Sequence, residues 1–488
     1  MNLFMISLLL SIISADTGTA AFPLEFRTVN SIDNNTSHGS WGAAGIYFQR
    51  LTAPSFSSDN LPNPRVVSNT LFSQNTSIKE PSISSFLWAW AEFIFSDMVC
   101  LSETYPPEPF NIEIPENDPF FAVSATSNKS ISYNKTAYIV FREGVHQQIN
   151  KASSYIDGSM IYGNEKVQAD FLRVNDGSGR LKAFTITDLI TSIRSTYTLH
   201  ELAVAALRML FIKEHNYWCS VISSLKSDLS DDQIYNQAKA MVVAELQAIT
   251  YREFLPALLG PSALPVYNGY NPSINPTISN EFSQGFDILI QSLVSTDTIH
   301  MPPLGDPQSA SSINDFMIES VFKALGAKNS ERLDLYIVDE LRNSYRDSLS
   351  YDASAVSLQR TRDHRLPLYN DFRAALGLAT VDDLCSVTSE PLFRSRIASV
   401  YPSCDKMELF PVALAENHLL GAQVGVTLFR LLKRQFQKLR DGDRFYYERY
   451  MSQTIVQIIE KRTLSKIICD NTNISTDQIP VHAFYIDN

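Results

Sequence analysis

QAKAMVVAELQAITYREFLPALLG, residues 237–260, is the stretch on which the fold turns. Its apolar residues recur at spacings of three and four, the pattern that gives a helix one apolar face. Gly260 and Pro261 close it, a normal helix stop. The same periodicity runs through LAVAALRMLFIKEHNYWCSVI at 202–222 and VGVTLFRLLKRQFQKL at 424–439. In the latter, Leu428, Leu431, Leu432, Phe436 and Leu439 share one face, and Asp441-Gly442 supplies a turn. Upstream, Ser82 to Leu101 is the first strong helix candidate; it has to end before the prolines at 106, 107 and 109. Residues 22 to 80 are rich in Ser, Asn, Pro and Thr, which predicts an extended arm with turns and little helix. No internal repeat or long low-complexity linker is found, and Pro-rich loops separate the helices. The expectation is a mainly α protein with few short strands: an arm over about 21–80 and a helical body over about 81–488, forming one large domain.

The chain has 488 residues, 44 % hydrophobic and 19 % charged, enough to bury a large core. Its net charge of −12 repels phosphate backbones, which argues against nucleic-acid binding. MNLFMISLLLSIISADTGTA has an apolar core at Leu3–Ile13 followed by Gly18 and Ala20, so residues 1–20 read as a signal peptide. No later segment offers 18 uncharged apolar residues, so no membrane span is expected and the chain reads as secreted. Glycosylation acceptors at Asn34, Asn35, Asn75, Asn128, Asn134 and Asn473 agree with that address. Five cysteines are present, without metal-binding spacing; Cys385 and Cys404 are the nearest pair for a disulfide. The odd count leaves at least one thiol free or paired with another chain.

One helix carries a puzzle. WAEFIFSDMVCLS, residues 90–102, is apolar except for a Ser-Asp step at 96–97. Its meaning comes from six other stretches: PNPRVVSNTLF (62–72), SSYIDGSMIYGNE (153–165), FIKEHN (211–216), TYREFLPALLG (250–260), TRDHRLPLYNDFRAALGL (361–378) and QFQKLRDGDRFYYE (435–448). In this order they resemble the animal haem peroxidase superfamily, over roughly residues 40 to 450. Within it, the FSD step, EFSQGFDILIQSLV and ELFPVALAENH are most similar to the peroxidase-homology domain of dual oxidases.

The resemblance implies a helical fold around a haem, with a proximal histidine on iron, a distal histidine for proton transfer and an arginine to polarise the peroxide. The distal histidine position falls on Ser96, and Phe95 stands where the family has an aspartate that can bond to haem. The arginine position falls near Tyr197, with Arg194 three residues earlier as a substitute. A nearby glutamate position reads His200. The proximal position falls on Ile290, which has no lone pair for iron. No histidine occurs between His215 and His300.

The resemblance implies calcium as well. The family binds it through the stretch that reads SSYIDGS here and through the aspartate after the distal histidine. Those positions are Ser153, Tyr155, Asp157, Ser159 and Asp97. Hydroxyl, carbonyl and carboxylate oxygens suit a hard cation that takes six to eight of them; the bland reading is a turn in which Asp and Ser cap backbone donors. Asn370 matches an asparagine that orients the proximal histidine, and with no such partner it is expected to bind backbone instead. Arg362, Asp363, Arg440, Asp441, Asp443 and Arg444 read as ion-pair or turn residues, and His215 and Cys219 as buried in one helix.

The expected function is a secreted, dual-oxidase-like peroxidase-homology protein that binds calcium, with haem doubtful. It would act as a non-catalytic scaffold for an oxidase or an extracellular matrix protein. The alternative is an active haem peroxidase using hydrogen peroxide, with His300 or another side chain on iron and Arg194 assisting. A third reading, one part of a longer dual oxidase, requires membrane, EF-hand and NADPH-binding regions after Asn488.

Overall fold

The computed structural model describes residues 22–55, 61–74, 76–121, 129–141, 144–183, 199–299, 315–346 and 349–486. Residues 1–20, read above as a signal peptide, lie outside them, as do Arg194, Tyr197, His300, Asn75, Asn128 and the side chains of His200 and Glu201.

Five helices hold the centre: α1 (Phe86–Met98), α2 (Leu199–Leu225), α3 (Asp231–Ile249), α4 (Asn280–Leu293) and α5 (Val426–Asp441). Helices α2 and α3 pack side by side, α1 lies between α2 and α4, and α4 packs on α5. Among the described residues the strands are short and form four separate antiparallel pairs: Lys79–Ser84 with Asn329–Glu331, Ile112–Glu113 with Ser130–Ile131, Tyr138–Val140 with His146–Gln148, and Ser344–Arg346 with Leu349–Tyr351. The protein is thus mainly α-helical.

Local chemistry explains the helix ends. Ser230 and Gln233 form a reciprocal capping box at the start of α3, satisfying two otherwise unpaired N–H groups. Ser279 accepts from the Phe282 N–H to start α4. After α3 the ladder widens into a π turn over Thr250–Phe254, and a short helix, Leu255–Leu259, follows. Pro256 lacks an N–H and its ring crowds the preceding turn, a known cause of such distortion. Gly260 ends the run at φ 88°, where a Cβ would meet the Gly421 carbonyl at 2.8 Å.

Two expectations shift by a few residues. The helix expected over Ser82–Leu101 spans Phe86–Met98, because Lys79–Ser84 is drawn into a strand beside Asn329–Glu331. The arm contains one helical segment, Pro64–Val67 continuing as a π turn over Ser68–Phe72. The five apolar residues assigned to one face of α5 are all buried.

The main apolar core runs from Phe22 to Phe484, and a smaller separate cluster gathers Ile112, Ile114, Phe121, Ile131 and Tyr133. Several charged groups inside the protein are paired. Arg65 is fully enclosed and binds Asp118 at 2.7 Å and Asp352 at 2.6 Å, tying the arm to two later segments. Arg462 reaches Glu214 at 2.5 Å and Asp470 at 2.5 Å, joining α2 to the C-terminal region. The five cysteines are all free. The expected Cys385–Cys404 bond is therefore not formed: the two residues sit in separate 3-10 turns, Leu384–Ser386 and Cys404–Lys406.

Glu253 in the π turn has one oxygen accepting from the Leu464 N–H and the other without a partner. Burial pushes its carboxyl up from 4.5 to about 7. The folded state therefore holds this proton more tightly than the unfolded chain does. Its favourable contribution is complete below pH 4.5 and is lost as pH rises through about 7. In urea titrations the Glu253→Gln variant should gain stability relative to wild type between pH 5 and pH 8; a constant difference across that range would contradict this origin.

Candidate functional site

The Ser-Asp step sits in the last turn of α1. Phe95 and Ser96 are half-buried, whereas Asp97 is enclosed. Asp97 faces the loop 153–158 and the short helix Ser159–Tyr162 that follows it. One carboxylate oxygen accepts from the N–H groups of Asp157 and Gly158, both at 3.1 Å. The other accepts from the Met160 N–H at 2.8 Å and the Ser159 hydroxyl at 3.3 Å. Gly158 makes this turn at φ 73°, where a Cβ would strike the Tyr162 ring at 2.9 Å.

Asp157 lies beside Asp97 and is equally enclosed. Its Oδ2 accepts from the Ser153 and Ser31 hydroxyls, each at 2.5 Å, and its Oδ1 from the Ser159 N–H at 3.0 Å. Tyr155 is buried, and its hydroxyl donates to the Trp41 carbonyl at 2.9 Å. The structure thus brings Asp97, Ser153, Tyr155, Asp157 and Ser159 to one enclosed locus. Burial pushes the Asp97 carboxyl up to about 7, with the neighbouring Asp157 adding to the rise and the backbone donors opposing it. Two cations stand near. Arg27 binds Asp443 at 2.8 Å and also feels Asp157, and the half-buried Lys239 lies over the Tyr162 ring at 4.8 Å. Among the described residues no group of three or more His, Cys, Asp or Glu is placed to hold a metal. Any cation here would depend on hydroxyls and carbonyls along with the two carboxylates, an all-oxygen set suited to a hard ion.

The second locus lies between α1 and α4. The Phe95 ring meets Phe286 edge-on at 6.0 Å. Phe286 also packs on Phe282 at 5.2 Å, Phe436 at 5.8 Å and Phe254 at 6.5 Å. Rings from α1, the π turn, α4 and α5 therefore form one aromatic cluster. Ile290 is 1 % exposed in the same core. No histidine lies in α1 or α4. Among the described residues the two fully buried histidines are committed elsewhere. His215 bonds Tyr162 at 3.1 Å and the Gly179 carbonyl at 3.0 Å; His364 bonds Asn280 at 2.7 Å and Thr136 at 2.8 Å.

Other residues named from sequence fall into supporting roles. Asn370 exchanges two 2.9 Å hydrogen bonds with the Val381 backbone. Arg362 grips Glu408 with two 2.9 Å bonds, and Asp363 accepts from Tyr133 and the Thr136 N–H. Arg440 pairs with Asp441 and Arg444 with Glu25, while Asp443 gathers Arg27, Asn34 and Gln247. Cys219 is buried beside the Gly179 carbonyl. Two glycan acceptors differ from expectation. Asn34 and Asn35 are enclosed, and their amide nitrogens donate to Asp443 and the Pro272 carbonyl, so a glycan there would break buried contacts. Asn134 is half-buried and Asn473 exposed.

Sequence reasoning missed Ser31, Arg27 and Lys239. Each is far in sequence from the aspartates it approaches, and no local pattern marks it.

Comparison with known proteins agrees with this architecture. The sequence profile described as animal haem peroxidase matches residues 26–484. The chain therefore belongs to the animal haem peroxidase family. It is 28 % identical to peroxinectin A of Dictyostelium discoideum, over 92 % of this chain and 94 % of that one. It is 26 % identical to the human peroxidasin homolog, over 95 % of this chain but 38 % of the relative, so the chain spans well under half of that protein. Among solved structures, peroxidase A from Dictyostelium discoideum superposes with a TM-score of 0.80 at 26 % identity, covering 94 % of this chain and 99 % of that one. A rice fatty acid alpha-dioxygenase, at 19 % identity and a TM-score of 0.78, shares the fold.

The aromatic cluster gives a direct test. Phe286 touches rings on three sides, so Phe286→Ala should cost about 3–5 kcal/mol in chemical denaturation. A loss under about 1 kcal/mol would mean the site is loosely packed.

Proposed function

We propose that this peroxidase-family protein is secreted, belongs to the dual-oxidase-like branch, holds calcium and does not carry out haem peroxidase chemistry. It acts through its surface, as a scaffold for an oxidase or an extracellular matrix protein. The observation that carries the reading is the Phe95–Phe286 contact, which joins the two helices that would flank a porphyrin. Ser96 and Ile290, at the two histidine positions, offer neither a proton shuttle of suitable pKa nor an iron ligand. The residues described here therefore do not fit a haem, and no catalytic step is drawn through one. Secretion is supported by the N-terminal apolar segment and by the absence, among the described residues, of any helix long and apolar enough to cross a membrane.

Calcium is supported by the Asp97 locus. Two enclosed carboxylates side by side repel each other, and a divalent ion removes that cost while accepting the nearby hydroxyl and carbonyl oxygens. When bound, calcium would supply charge neutralisation and stiffness, with Asp97, Ser153, Tyr155, Asp157 and Ser159 holding it.

The rival reading, an active peroxidase, rests on the names of the relatives and needs His300 and Arg194. Expression with added haem precursor decides between them. The expected visible spectrum has no stoichiometric Soret band, and peroxide turnover is absent. A stoichiometric band with turnover would overturn the proposal, and its loss in His300→Ala would establish the rival. For calcium, Asp97→Ala should abolish the rise in melting temperature on adding calcium and lower stability by about 3 kcal/mol, since it strips an acceptor from three buried N–H groups. Ser96→Ala should change little. Equal effects from the two would remove the distinction drawn between them.

A further inference from the structure

Ser31 stands out in the N-terminal arm. It is fully enclosed and its backbone lies in the left-handed region at φ 57°. A non-glycine residue other than Asn or Asp seldom stays there without a reason. The reason on view is its hydroxyl, which donates to Asp157 at 2.5 Å across 126 residues of chain. A glycine would satisfy the backbone but lose that bond.

The rest of the arm is laid along the same loop. Arg27 binds Asp443 at 2.8 and 3.0 Å and stacks over Tyr155 at 4.9 Å. The Ser154 N–H donates to the Gly42 carbonyl at 2.8 Å, and Tyr155 to the Trp41 carbonyl. Gly42 lies so close to the Tyr155 ring that a Cβ would come within 2.6 Å. The Gly45 N–H donates to the Asn150 carbonyl at 2.8 Å and the Phe48 N–H to the Gln148 carbonyl at 2.9 Å. The arm therefore covers the loop that carries Ser153, Tyr155 and Asp157.

We infer that calcium uptake and docking of the arm are a single linked equilibrium, with Ser31 as the positioning residue that holds Asp157 toward the ion and Arg27 as the second clasp. The inference rests on the calcium reading above. A cation that fixes the Asp157 carboxylate holds its Oδ2 toward the Ser31 hydroxyl, and a docked Ser31 in turn restricts the rotation of Asp157. Linkage is reciprocal: whatever factor the arm adds to calcium affinity, calcium returns to arm closure.

Two measurements test it. Hydrogen exchange on the wild-type chain is followed over residues 22–50 with calcium chloride or with a chelator, and calcium affinity is measured by calorimetry for wild type, Ser31→Gly and Ser31→Ala. The expected results are slower exchange across 27–45 with calcium and a calcium affinity reduced roughly 10-fold or more in both variants. Ser31→Gly is the informative substitution, because it relieves the left-handed backbone and would improve docking if Ser31 were only a turn residue. Wild-type calcium binding with unchanged arm exchange, or unchanged affinity in Ser31→Gly, would overturn the linkage and leave the calcium reading intact. No calcium uptake by wild type would overturn both. The exchange arm uses no variant, so a misfolded variant leaves the test in force.

Discussion

The Asp97 carboxylate is the constraint on which much of the architecture depends. It is fully enclosed, and it takes three backbone N–H groups from the turn at 157–160. Those groups point inward because Gly158 adopts a left-handed conformation. A helix end and a loop some sixty residues later are thereby fixed against each other. The hydroxyls of Ser153 and Ser159 complete the contact, and Asp157 is brought next to Asp97 as a consequence. Like charges so placed are stable only with protons, donors or a cation around them. The chain supplies many donors; a divalent ion would supply the rest.

The neighbouring locus follows the opposite logic. At the α1–α4 boundary aromatic rings meet. Edge-to-face pairs among Phe95, Phe286 and Phe436 gain quadrupole complementarity in addition to burial. Gly285, in the middle of α4, lets that helix approach Phe410, where a Cβ would come within 2.7 Å. The side of α4 turned away from the rings is held by polar bonds from Gln291 to Ser354 and Ser357. Two adjacent loci thus separate along one helix turn at Ser96-Asp97: rings on one side, oxygens on the other.

Much of this was legible in the sequence, for identifiable reasons. Helices α3 and α5 were visible because apolar spacing marked them, with a turn at Asp441-Gly442 after α5 and the stop at Gly260-Pro261 falling beyond the π turn that follows α3. The all-oxygen locus was visible through the family resemblance, which singled out Ser153, Tyr155, Asp157 and Ser159 in one short loop together with Asp97. The start of α1 was misplaced because Lys79–Ser84 pairs with a segment about 250 residues away, which local propensity does not encode. Ser31 and Arg27 were missed for the same reason. Asn34 and Asn35 carried the glycan acceptor pattern, yet the pattern says nothing of the distant Asp443 and Pro272 that enclose them.

The position of the arm also sets an order of events during synthesis. Arg27 meets Asp443 across 416 residues, and Arg444 closes back on the Asn34 carbonyl across 410. Arg27 and Asn34 are therefore made long before Asp443 and Arg444. Contacts of such sequence separation form late, because loop closure has to precede any gain from them. The arm therefore stays undocked until Asp443 and Arg444 have been made, and its closure reports that these distant segments have come together.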